Sequence, residues 1–261
     1  MPFESVTSAQ NPKIKQLLAL QAKSSLRRES GLFVVEGRRE LEHCLAAGFR
    51  PRTIFRCPEI LPREELDVPD VQVIEVPAAL YEKIAYRGGT EGIIAEVECR
   101  ELKLDDLRLK ENPLIMVLES VEKPGNLGAV LRSADAAGAD AVLVCDPLTD
   151  LFNPNLIRAS IGAIFTVPVV ACSSQEAIGW LKSHGISIFT AQLQDSLPYY
   201  DTPLAGPSAL VMGTESTGLS WEWRRAADRH IRIPMLGRLD SLNVSVSASI
   251  LLFEAVRQRQ A

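Results

Sequence analysis

LIMVLESVEKPGNLGAVLRSADAAGADAVLVC, residues 114–145, decides the fold. It sets two short apolar runs, LIMVL (114–118) and AVLVC (141–145), on either side of a stretch with helical spacing. Neither run alternates with polar residues, which is the pattern of parallel strands covered on both faces. Four further runs follow, with helical stretches between them: TVPVV (166–170), ISIFT (186–190), ALVM (209–212) and HIRI (230–233). The second half of the chain is therefore expected to form an open, parallel α/β sheet. In the last segment, SLNVSVSASILLFEAVRQRQ, Val246, Ile250 and Phe253 share one stripe, which reads as the packed face of a terminal helix. Ser245, Ser247, Ala248 and Ser249 would admit a close neighbour.

Upstream, helical and extended signals alternate: NPKIKQLLALQAK, LFVVEG, RRELEHCLAAG, RTIFR, VQVIEV, PAALYEKIA and GIIAEVE, all within the first hundred residues. They predict a small α/β unit. ELKLDDLRLKENP (101–113) is charged and ends in proline, as a linker or surface helix would, so a domain boundary is placed at 100–112.

Composition narrows the classes. With 46% hydrophobic and 23% charged residues in 261, the chain is globular and long enough for one or two cores, which excludes disorder. No apolar run approaches the roughly 18–20 residues of a membrane span, and the polar MPFESVTSAQNPKIKQ does not read as a secretory signal. The expectation is a soluble, cytoplasmic protein. Five cysteines (Cys44, Cys57, Cys99, Cys145, Cys172) are dispersed and form no CxxC, and His43, His184 and His230 form no HExxH, so neither a disulfide framework nor a metal centre is suggested. A net charge of -5 excludes coating of nucleic acid by bulk electrostatics. The charge is uneven, however: residues 1–60 carry +4, leaving -9 for the rest.

In an open parallel sheet the chemistry lies beyond the carboxyl ends of the strands. Three loops there carry more polarity than a turn requires. After LIMVL, Gly125 and Gly128 would permit close backbone approach, and Asn126 would cap a helix carrying Arg132, placing both at one end of it. After ALVM comes Gly213-Thr-Glu215-Ser-Thr-Gly218-Leu219, where Leu219 replaces the lysine of a phosphate-binding loop and GxSxG fails, leaving a glycine turn that displays Glu215. After HIRI, Ser241 reads as a helix cap, with Asn243 in the first turn. Trp221 and Trp223 read as packing residues of the following helix, one of them able to stack a base.

Taken together, NLGAVLRSA, GTESTGLS and IPMLGRLDSLNVSVSASILLFE resemble, in order, the three signature motifs of the SpoU (TrmH-type) RNA 2′-O-ribose methyltransferases of the SPOUT superfamily. The match spans residues 113–261 and includes RASIGAIF (158–165); Thr214 and Ser247 are small departures. Residues 1–100 resemble the L30e-like substrate-binding domain often found ahead of this catalytic domain. The resemblance implies a trefoil-knotted catalytic domain, a homodimer with the active site near the subunit interface, S-adenosyl-L-methionine as cofactor and RNA as substrate, ribosomal RNA ahead of transfer RNA. It assigns Asn126, Arg132, Glu215, Ser241 and Asn243 to catalysis, and Gly213, Ile233, Leu242 and Met235 to the cofactor. Because a guanidinium stays protonated, Arg132 reads better as a partner of the RNA phosphate than as a simple base. Lys13, Lys15, Arg27, Arg28, Arg38 and Arg39 are candidate phosphate contacts of the first domain. Two other classes were weighed. A non-catalytic RNA-binding module is disfavoured by the five polar residues together, and a nucleotide-dependent oxidoreductase by the missing GxGxxG.

Overall fold

The structure is a computed structural model that describes residues 4–62, 68, 71–86, 91–214 and 217–260. In chain order its elements are β1 (Glu4–Ser5), α1 (Pro12–Ala22), α2 (Ser24–Ser30), β2 (Leu32–Glu36), α3 (Arg38–Ala46), β3 (Pro51–Arg56), β4 (Gln72–Glu75), α4 (Ala78–Ile84), β5 (Ile93–Glu98), β6 (Leu114–Glu119), α5 (Pro124–Ala136), β7 (Ala141–Cys145), α6 (Pro154–Ala159), α7 (Ala163–Thr166), β8 (Val169–Cys172), α8 (Ser174–Ser183), β9 (Ser187–Ala191), β10 (Leu197–Pro198), β11 (Ser208–Met212), α9 (Trp221–Ala226), β12 (Arg229–Arg232) and α10 (Val244–Gln260). They group into two compact units, residues 1–100 with 150–162, and residues 101–149 with 163–261.

The first unit is built on a five-stranded sheet of order β1-β4-β3-β5-β2, parallel at β1-β4-β3 and antiparallel at β3-β5-β2. Its core joins Ile14, Leu17 and Leu20 of α1 to Phe55, Ile74, Tyr81 and Ile94. Asn11 caps α1 through Lys13 N, and Pro12 takes the first turn, where a missing N–H costs nothing. Residues 150–162 belong to this unit: Phe152 stacks on Phe33 with ring centroids 4.5 Å apart. Asp150 pairs with Arg27 at 2.7 Å. Arg27 is 4% exposed and donates also to the Leu20 carbonyl, so it is a structural ion pair and leaves the set of phosphate contacts. Lys13 pairs with Glu4, while Lys15, Arg28 and Arg39 are exposed.

The second unit holds seven parallel strands in the order β10-β12-β9-β11-β6-β7-β8. Every residue of β6, β7 and β11 is buried, as the unalternating apolar runs require. One face packs on Trp180 and Leu181 of α8 and Trp223 of α9. Leu102, Leu104, Leu107 and Leu109 lie half-buried against the same core, so residues 101–112 run along this unit. On α5, Leu127, Val130, Leu131 and Ala134 are buried, and α10 packs on α5, β6 and β11.

Two expectations are corrected. TVPVV is not one strand: residues 163–166 are helical and pairing begins only at Val169, after Pro168, which has no N–H to offer. On α10 the buried residues are Val244, Ala248, Leu251, Leu252 and Ala255, whereas Val246 and Phe253 are about half exposed (47% and 48%). Both stripes have helical spacing; Ala248 and Ala255 turn the second one inward, because small side chains let the helix approach its neighbours. Close approach to α5 is realised at Ser249, whose hydroxyl lies 2.7 Å from that of Ser133.

Candidate active site

The strand order reverses between β6 and β11, and the residues beyond the carboxyl ends of these strands enclose two adjoining cavities. The larger, about 380 Å³, is walled by residues 191–194 after β9, by the turn after β11, by Ile231–Ile233 and Met235, and by Asp240–Leu242, Val244, Ser247 and Leu251. Its floor is apolar, with Met212, Leu219, Ile231 and Leu251 buried. The smaller, about 120 Å³, lies beside Val121–Lys123 and Asn126. Gly213, Thr214 and Val244 line both.

The turn from Gly213 to Gly218 is closed by Gly218 N donating to Thr214 O (3.1 Å) and by the paired hydroxyls of Thr214 and Thr217 (2.7 Å). Gly213 has no alternative residue: a Cβ there would lie 2.3 Å from the Gly218 carbonyl carbon. Gly218 supplies the left-handed φ of +68° that completes the turn. Behind the turn Glu119, 7% exposed, accepts from Ser220 N at 2.8 Å, and Trp223 Nε1 donates to Ser174 Oγ at 2.8 Å. Ser174 Oγ donates in turn to Asp146 at 2.6 Å. This partly buried network ties the turn to the ends of β6 and β7.

Asn126 and Asn243 meet directly, with Asn243 Nδ2 donating to Asn126 Oδ1 at 3.2 Å. Asn243 is itself the cap of α10, because its Oδ1 accepts from Ser245 N (3.0 Å) and its carbonyl from Ser247 N (3.0 Å). Ser241 therefore lies ahead of the helix, in the wall of the larger cavity, and not at its cap. Asn126 is not a cap either: α5 starts at Pro124, so Asn126 falls inside the first turn. Arg132 then sits in the C-terminal half, about 9 Å along the axis and roughly 240° further round. It is exposed and lines neither cavity, so the two residues do not share one end of the helix. A Cβ at Gly125 would meet open space, so that glycine serves no close approach. Glu215 lies outside the described residues. Gly213, Ile233, Met235 and Leu242 all line the larger cavity. Trp223 is fully buried, while Trp221 is 70% exposed.

The larger cavity has the size and character of a small-molecule pocket, an apolar floor with a few polar groups. Gln192 and Arg224 also line it, and Gln192 Oε1 and Arg224 Nε are buried without a partner among the described residues. Buried polar atoms are normally paired, so these two side chains are under-satisfied where they stand beside the cavity. Neither residue carries a sequence motif, although Gln192 directly follows the end of β9 at Ala191 and the rule of strand ends applies to it.

Comparison with known proteins agrees with this geometry. Residues 113–253 match the model of the SpoU rRNA Methylase family, and residues 11–95 that of an MRM3-like substrate binding domain. The chain belongs to the SpoU rRNA methylase family. It is 29% identical over 96% of its length, and 98% of the relative, to the 23S rRNA (guanosine(2553)-2′-O)-methyltransferase RlmP of Bacillus subtilis. It is 30% identical over 97% of its length, and 92% of the relative, to the 23S rRNA (uridine(2479)-2′-O)-methyltransferase of Streptomyces viridochromogenes. Among solved structures, the AdoMet-bound rRNA methyltransferase from Sinorhizobium meliloti superposes with a TM-score of 0.89 at 31% identity, covering 98% of each chain. These two SpoU relatives act on different bases, so membership does not carry base identity.

Proposed function

We propose that this chain transfers the methyl group of S-adenosyl-L-methionine to a ribose 2′-hydroxyl of 23S ribosomal RNA. The observation that carries the reading is the sharing of Gly213 and Thr214 between a cavity of small-molecule size with an apolar floor and a second cavity edged by Asn126. The cofactor, when bound, supplies an electrophilic methyl on a sulfonium. The backbone at Gly213, with Ile233, Met235 and Leu242, would enclose it. The linked amides of Asn126 and Asn243 orient the ribose, with Ser241 and Glu215 shaping the remainder of the site. Arg132, permanently cationic, holds the adjoining phosphate so that the hydroxyl stays in line, while that phosphate or a neighbouring group takes the proton.

Arg132 lines neither cavity of its own chain, which supports its acting in the site of a second copy within a homodimer. The half-exposed Val246 and Phe253 on α10 supply apolar surface for such a pairing. Residues 1–100 hold the RNA substrate, with Lys15, Arg28 and Arg39 as accessible cations. The knotted path of the family is proposed for the segment that forms β11, β12 and α10. A ribosomal substrate also accords with a cytoplasmic location.

The reading is tested by incubating the protein with methyl-tritiated S-adenosylmethionine and ribosomal RNA that lacks modification, then digesting to nucleosides. One 2′-O-methylated nucleoside carrying label is expected. Label on a base, or none on RNA, would contradict the proposal.

A further inference from the structure

We propose that Arg224 binds the methionyl carboxylate of S-adenosylmethionine; this rests on the cofactor reading above and names the group that holds the amino-acid end. Arg224 sits on α9 and lines the larger cavity. Its Nε is buried without an acceptor, and no carboxylate among the described residues pairs with the guanidinium. Nη2 lies beneath the glycine turn, 3.7 Å from where a Cβ on Gly218 would stand, so no side chain intervenes between the cation and that wall. Among the described residues, two other charged side chains line the cavity. Arg232 is already engaged with the Ser196 carbonyl, and Asp240 is exposed and accepts from Ser241 at 3.3 Å.

A guanidinium cannot shed its proton, and Arg224 is half-buried with its Nε closed off, so its charge is best balanced by an anion in the cavity it lines. Its planar fork matches a carboxylate in two parallel hydrogen bonds. A cavity of about 380 Å³ with an apolar floor also favours a small molecule over an RNA phosphate.

The experiment is calorimetric titration of the full-length protein with two ligands. S-adenosylhomocysteine keeps the amino-acid tail, whereas 5′-methylthioadenosine shares the adenine, ribose and thioether but lacks it. Arg224→Gln should weaken S-adenosylhomocysteine about tenfold or more while changing methylthioadenosine by less than about twofold, and Arg224→Lys should recover part of the loss. Equal losses for both ligands would mean that Arg224 only shapes the cavity and would overturn the proposal. Unchanged S-adenosylhomocysteine affinity with weakened RNA binding would overturn it in favour of a phosphate contact. Wild-type protein that binds neither ligand would overturn the cofactor reading itself.

Discussion

Replacing Gly213 by alanine puts a methyl group where the turn closes on itself. The added Cβ would lie 2.3 Å from both the carbon and the oxygen of the Gly218 carbonyl and 2.6 Å from Leu219 N. All three are backbone atoms, so no rotamer change relieves the clash. Reaching ordinary contact at 3.4 Å requires the 218–219 segment to retreat by about 1 Å. Leu219 is 4% exposed, and the next residue is held by Glu119, so the retreat strains a core side chain and a charge-assisted hydrogen bond together. Overpacking of this kind costs about 1–3 kcal/mol. Because the turn walls the larger cavity, Gly213→Ala should weaken S-adenosylhomocysteine by about tenfold to a hundredfold. Its Tm should fall by about 2–4 °C for each kcal/mol that appears in the free protein. Calorimetric titration and scanning calorimetry measure the two effects. An alanine variant that binds S-adenosylhomocysteine within about twofold of wild type would refute the argument that this backbone forms the wall.

Three further outcomes follow from particular contacts. Burial pushes Glu96 from 4.5 up to about 7, so the native state favours its neutral form. The associated stability is complete below about pH 4.5 and is lost as pH rises through about 7. Glu96→Gln should therefore match wild type near pH 4 and exceed it by roughly 3 kcal/mol above pH 8 in denaturant titrations, whereas a difference independent of pH would contradict this. Arg27→Met should destabilise by about 3–5 kcal/mol because it strands Asp150, while Arg28→Ala and Arg39→Ala should leave stability intact and each lower the salt dependence of RNA binding by about one unit. Equivalent behaviour of Arg27 and Arg28 would count against the ion pair. Finally, Arg132→Ala should lack transfer activity, as should Gly213→Ala at cofactor concentrations far below its weakened Kd, yet when mixed as exchanging dimers under those conditions they should recover about a quarter of it, since half the dimers are mixed and each holds one intact site. No recovery would place Arg132 in the site of its own chain.

Much of this architecture is legible in the chain itself, because burial on both faces leaves a mark on composition. LIMVL, AVLVC, ISIFT, ALVM and HIRI all occupy strands of the seven-stranded sheet. TVPVV misleads because Val167 and Val169 look the same before and after a proline that delays pairing. The α10 stripe misleads for a different reason: Val246 and Phe253 are as apolar as Leu251 and Leu252, and only the position of the sheet decides which set turns inward. At the site, Gly213, Ile233, Met235 and Leu242 are marked by the loops after strands and do converge on one cavity. The cap at Asn243 depends on where α10 begins, which the run of Ser241, Asn243 and Ser245 leaves open, whereas the separation of Asn126 from Arg132 follows from six residues of helix whatever its first residue. Arg224 and Gln192 carry no motif. They become visible only when burial exposes their lack of partners.

The most direct measurement is a map of ribose methylation across the ribosomal RNA of cells with and without the gene, repeated with the gene restored as wild type or as Arg132→Ala. The account predicts that one 2′-O-methyl group on 23S ribosomal RNA disappears with the gene, returns with wild type and stays absent with the variant. An unchanged map on deletion, or full restoration by Arg132→Ala, would contradict it.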